Sequence, residues 1–84
     1  MTKVERKLYK ARELLEEAKK LIVERDKLIE RGQELLDMAD EDHPKTYIKY
    51  TVKAMKLGVK AMFKNIKADM KLKRGRSIMN GVFS

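Results

Sequence analysis

Lys45, Lys49, Lys53, Lys56, Lys60, Lys64, Lys67 and Lys71 follow one another at steps of three or four residues in the second half of the chain. On a helix, at about 100° per residue, such steps keep all eight within roughly 100° of arc, and a rise of about 1.5 Å per residue makes the row about 40 Å long. Lys73, Arg74 and Arg76 extend it, and its only neighbouring acid, Asp69, lies off the row. Like charges this close on a helix repel by about 0.2–0.5 kcal/mol per pair. A helix written for stability alone intersperses glutamate, as the first half of this chain does. The chemistry such a row suits is neutralisation of phosphates by mobile point charges that read no bases. A plain solvated face, partly balanced by acids of a neighbouring chain, is the alternative.

Other residues with chemical potential fall short of a site. Asp37, Asp40, Glu41, Asp42 and His43 cluster before Pro44, but their spacing fits no calcium loop and no glycine supplies the turn. They read as a solvated connection that favours the N-terminus of the helix beyond it. With no cysteine and one histidine, nucleophilic triads and thiolate metal sites lack their parts. The carboxylate pairs Glu13/Glu17 and Glu30/Glu34 alternate with lysine and arginine, the pattern of an exposed helix surface. No glycine-rich phosphate loop is present. Tyr47, Tyr50, Phe63 and Phe83 do not interleave with the lysines as a base-stacking platform requires, and Phe63, the nearest, is expected at the edge of the core. The chain is therefore expected to be non-enzymatic, with no cofactor and no metal.

The elements that position the lysines are helices throughout. Thr2-Lys-Val-Glu5 is a capping box, and an unbroken helical pattern runs from it to about residue 40. Leu8, Leu15, Ile22, Ile29 and Leu36 recur every seven residues, as do Leu14, Leu21, Leu28 and Leu35 beside them. A third line is mostly small: Val4, Ala11, Ala18, Arg25, Gly32, Ala39. A sustained seven-residue repeat signals supercoiling, and a small line signals close approach of another helix. Gly32 falls on that line, so it reads as a packing contact. After a turn at about 41–44, Pro44 opens a second helix to about residue 74, with Asp42 or His43 as its cap and Gly75 as its C-cap. Its large apolar line is Ile48, Val52, Met55, Val59, Met62, Ile66 and Met70; its small line is Thr51, Ala54, Gly58, Ala61, Asn65 and Ala68. The tail 75–84 is left as a short docked helix, a turn or disordered chain.

The expected fold is thus all-α: one domain, residues 1–84, folded as an antiparallel hairpin of two long helices with coiled-coil character. A chain of 9.9 kDa has a thin core, and both apolar stripes are wider than one neighbour covers. A dimer forming a four-helix bundle is expected, through Leu14, Leu15, Leu21, Ile22, Leu28, Ile29, Met55, Val59, Met62 and Ile66. Ile22 and Met62, central in their stripes, are expected to tolerate no charge.

Charge divides sharply along the chain. Residues 1–43 hold ten Lys/Arg and twelve Asp/Glu, a net −2, whereas 44–84 hold eleven Lys/Arg and one acid, a net +10, together the chain's +8. That asymmetry points the second helix at an anionic partner. The leading expectation is a nucleic-acid-binding protein that contacts phosphates through the lysine row with Lys73, Arg74 and Arg76. The second is an interaction module, an adaptor or inhibitor, docking an acidic protein surface with its lysines and methionine stripe. The third and weakest is a peripheral membrane helix, since glycine and alanine beside the apolar line suit helix packing better than lipid. The charged N-terminus has no signal-peptide pattern and no stretch is long and apolar enough for a membrane span, so a cytoplasmic location is expected. In architecture alone, a helical-hairpin dimer with a basic face is similar to small plasmid RNA-binding hairpins; no motif is shared, so no residue role carries over.

Overall fold

The computed structural model describes residues 2–83; Met1 and Ser84, the two ends of the expected domain, lie outside them. Two helices, α1 (Lys3–Met38) and α2 (Pro44–Phe83), pack antiparallel along their whole length into a rod of 64 × 15 × 13 Å. No strand occurs among the described residues.

The helix ends follow from local chemistry. Thr2 adopts an extended backbone, φ −75° and ψ 167°, and its hydroxyl oxygen accepts from the Glu5 N–H at 3.1 Å. Within the expected box, the return bond runs side chain to side chain: the Thr2 hydroxyl meets Glu5 Oε1 at 3.2 Å. At the other end α1 stops at Met38, about two residues earlier than the pattern implies, and Ala39 turns to ψ 126°. Asp40 then organises the connection. Its carboxylate accepts from the Asp42 N–H at 3.0 Å and pairs with His43 Nδ1 at 2.9 Å. The His43 carbonyl accepts the first bond of α2, from Tyr47, at 2.9 Å, so His43 rather than Asp42 holds the capping position.

The seam between the helices is built from small residues. Ala11, Ala18 and Gly32 of α1 and Ala54, Ala61, Ala68 and Gly75 of α2 are buried, and Leu14 is the one large side chain among them. All but Leu14 follow the same seven-residue step. Gly32 sits against the Ala54 carbonyl, where an added Cβ would lie 3.7 Å away, and Gly75 sits against the Ala11 carbonyl at 3.5 Å. The shared step then sets Ala18 across from Ala68, and Arg25 across from Ala61. Side chains this short let the two backbones approach closely.

The same pairing corrects the expected end of α2. Gly75 is not a C-cap, and the helix continues to Phe83 through the expected tail. No glycine of the described chain has a positive φ, the conformation a glycine C-cap supplies. Gly75 is instead the last small residue of the seam. Because α1 begins at Lys3, its first two turns need a partner across the seam, and residues 76–83 provide it: Ile78, Met79 and Val82 are half-buried there.

The large apolar line of α2 lies outside the seam. Ile48, Met55, Met62 and Met70 expose 61, 66, 54 and 60% of their surface, and Val52, Val59 and Ile66 are also exposed. Met62 is thus not core within one hairpin, and a charge there meets water unless another molecule covers it. Ile22 is half-buried.

Candidate nucleic-acid interface

Around α2, starting from the seam, the seven-residue step places Lys64 and Lys71 on one shoulder. Lys53, Lys60, Lys67 and Arg74 come next, roughly 100° from the seam, and Lys49, Lys56 and Phe63 beyond them at about 150°. The apolar stripe occupies the other shoulder and the back. Lys45 and Lys73 fall at the two ends of the line of Val52, Val59 and Ile66, and Arg76 falls in line with Met55 and Met62. Of the three cations expected to extend the row, Arg74 alone continues it.

The lysines divide into two kinds. Lys64 and Lys71, beside the seam, reach across it: Lys64 Nζ meets Glu24 Oε2 at 2.6 Å, and Lys71 Nζ meets Glu17 Oε2 at 2.5 Å. Both lysines are half-buried. Each glutamate carboxyl is held below its ordinary value of 4.5, first by the lysine hydrogen bond and then by the lysine charge, against a smaller upward push from desolvation. The acids that balance the row come from the same chain's α1, and they balance only its inner edge. Lys73 pairs with Asp69 at 3.0 Å, one turn away.

The other cations of α2 are free, Arg76 on the apolar side among them. Lys45, Lys49, Lys53, Lys56, Lys60, Lys67 and Arg74 are exposed and form no ion pair among the described residues. From Lys49 to Arg74 six of them run about 38 Å along one side of the rod, and Lys45 stands at the end of the apolar line beside them. A rigid helix backbone, braced by the seam, fixes their spacing, while each flexible stem lets its ammonium adjust.

One residue set aside at the sequence level belongs to this surface. Phe63 exposes 58% of its surface and lies in line with Lys49 and Lys56. A large apolar residue reads as core when the stripe is taken to be the seam. Its position seven residues beyond Lys56 was the signal that it faces the same way as the lysines. Tyr47 is exposed and Tyr50 half-buried, both near the turn.

The residues expected at an interface between chains separate as well. Leu14 is buried in the seam, and Leu15, Leu21, Ile22 and Leu28 are half-buried along its flanks. Ile29, Met55, Val59, Met62 and Ile66 are exposed. The acidic connection holds no cluster of three ligating side chains among the described residues. Neither helix is long and apolar enough to cross a membrane. Comparison of the chain with protein-family models, with curated proteins and with solved structures returns no match.

Proposed function

We propose that this chain is a cytoplasmic, non-enzymatic nucleic-acid-binding protein, acting as an assembly of more than one copy, that contacts phosphates through the outer lysines of α2. The observation that carries the reading is the row of exposed cations Lys49, Lys53, Lys56, Lys60, Lys67 and Arg74, about 38 Å long, with no acid among them and no ion pair among the described residues. Lysine point charges without a groove-reading arginine pair suit backbone contact rather than base readout. A straight helix leaves a curved backbone after a short distance, so about three to five phosphates per chain are engaged, giving a log–log salt slope near −0.9 per contact on duplex DNA and −0.7 on single strands.

Changing Lys53, Lys60 and Lys67 together to Gln tests this. Binding to duplex DNA and RNA, measured by fluorescence anisotropy across salt concentrations, should weaken similarly for all sequences, and the slope should flatten by about 2 to 3. Changing Lys64 and Lys71 to Gln should flatten it less, because their charges are already engaged by Glu24 and Glu17. Phe63→Ala should weaken single-strand binding selectively, by about 1–3 kcal/mol if a base stacks on the ring. Equal binding by the parent and the triple variant at every salt concentration would reduce the row to a solvated face.

The second reading, a module docking an acidic protein surface, is favoured by the exposed methionines that border the lysines. Methionine on an open face is an adaptable contact. No nucleic-acid binding by the parent at low salt would bring this reading forward, and the triple variant would then probe the acidic partner. Binding to anionic vesicles instead would favour the membrane reading.

A further inference from the structure

A compact monomer of 9.9 kDa exposes about 5,200 Å² by the usual dependence of surface on mass. This hairpin exposes 6925 Å², about 1,700 Å² more. The excess is about twice what one side of a standard interface buries, roughly 800 Å², and matches the share of one partner in an obligate homodimer. The rod shape spreads this surface over all its sides, but the exposed apolar stripe of α2 gathers on one of them, beside a shallow groove between the helices lined by Ile29, Leu36, Met55, Gly58 and Met62.

Three features describe the occupant. The stripe repeats in sevens, as Val52/Val59/Ile66 and Met55/Met62, in the same register as the seam. Whatever covers it over its full length is a long helix with the same supercoil. The far border of the stripe is basic, with Lys49 and Lys56, and Lys45 and Lys73 close its two ends, so the covering helix carries acids at its edge. The outer line of α1 has that composition: Glu16, Glu30 and Asp37 at multiples of seven, with exposed Val23 among them. Finally, the charged group in the groove, Arg25, is already satisfied. Arg25 Nη1 donates to Asn65 Oδ1 at 2.6 Å, and its Nε and Nη2 donate to Asp26 Oδ1 at 3.1 and 2.9 Å. Covering this neutral cluster strands no charge, and a polar pair at one level of an apolar interface fixes its register.

We propose that a second copy of this chain covers this side, each α1 lying along the stripe of the other copy's α2, in a four-helix bundle that leaves Lys53, Lys60, Lys67 and Arg74 of each copy outside. An anionic bilayer fits less well, because the acids of α1 border the same side. This inference rests on the assembly part of the proposed function and not on what the lysines bind.

Sedimentation equilibrium at about 100 μM, with circular dichroism on the same samples, tests it. The parent should have twice the mass of the 9.9 kDa chain. Met62→Asp should stay helical and fall to a single chain, with a dissociation constant raised at least about 30-fold, the size of an interface hot spot. Lys60→Gln, on the lysine side, should keep the parental mass. If Met62→Asp loses its helical signal, the milder pair Met55→Gln with Met62→Gln decides by its mass. A monomeric parent overturns this face and the assembly together, leaving nucleic-acid binding by a single hairpin standing. A dimeric parent whose Met62→Asp and double-Gln variants remain dimeric overturns this face alone. Vesicle binding by a monomeric parent that Met62→Asp abolishes would identify lipid as the occupant and overturn the proposal.

Discussion

The two apolar sides of α2 invert the usual relation between size and burial. Ala54, Ala61 and Ala68 are 7, 4 and 2% exposed, whereas Met55 and Met62, one residue further along, are 66 and 54% exposed. A side chain is buried by what stands opposite it, not by its own hydrophobicity. In the seam, small residues on both helices shorten the interhelical distance, so contact is made by Cβ atoms and backbone at close range. Such a seam buries little apolar area per residue, at about 25 cal/mol per Å². The larger apolar area lies on the open side, where it contributes nothing until something covers it. The hairpin is closed by fit, and its remaining apolar surface is free for association.

The most severe way to break this contrast is to give the seam a large residue. Ala18→Leu, at a fully buried position across from Ala68, should force the helices apart and destabilise the hairpin by about 1–3 kcal/mol or more. Val59→Leu on the stripe should change stability by less than about 1 kcal/mol. Thermal melts by circular dichroism that ranked them the other way would place the seam on the wrong line.

Glycine replacement sharpens the comparison further. At Gly75 a new Cβ would meet the Ala11 carbonyl and Leu15 at 3.5 Å, an ordinary contact distance, and at Gly58 it would meet nothing within 4 Å. Both Gly75→Ala and Gly58→Ala should therefore gain helix stability, by up to about 1 kcal/mol each. If Gly58→Ala raises helicity yet weakens self-association, the second copy approaches closely at Gly58. A smaller gain is expected from Thr51→Val. The Thr51 hydroxyl is buried with no hydrogen-bond partner, and removing it should stabilise by about 1 kcal/mol or less in urea titrations.

The smallest effect concerns the charged shoulder of the seam. Glu17 and Glu24 have carboxyls lowered from 4.5 by Lys71 and Lys64. A carboxyl lowered in the folded state adds stability above its unfolded value, and that stability is lost as pH falls through the folded value. Unfolding midpoints should thus hold steady near neutrality and decline below about pH 4.5. In the Glu17→Gln, Glu24→Gln variant the acid decline should be shallower. Equal declines would mean that these two pairs add nothing to folding.

Much of the fold is legible in residue order. Thr2 and Glu5 announce the start of α1, and Pro44 announces the start of α2, because capping and φ restriction act within a few residues. The seven-residue lines are equally visible, and the small line of α1 points correctly to a close helix contact. These signals are local or periodic, so the chain carries them without reference to its fold. The free lysines are visible in the same way, as charges in a row.

Tertiary structure alone decided three matters. Gly75 has two uses in a helical chain, ending a helix with a positive φ or admitting a neighbour, and only Ala11 across the seam selects the second. The stripes of α2 are both apolar, and only the pairing with the small line of α1 puts alanine inside and methionine outside. The lysines are alike in sequence, and only the position of Glu17 and Glu24 across the seam separates Lys64 and Lys71 from the free lysines of the row. In each case the deciding group is distant along the chain, from 22 residues between Gly32 and Ala54 to 64 between Ala11 and Gly75, and becomes a neighbour only when the hairpin closes. Periodicity assigns residues to lines along a helix; which line meets the other helix depends on how closely the two surfaces fit.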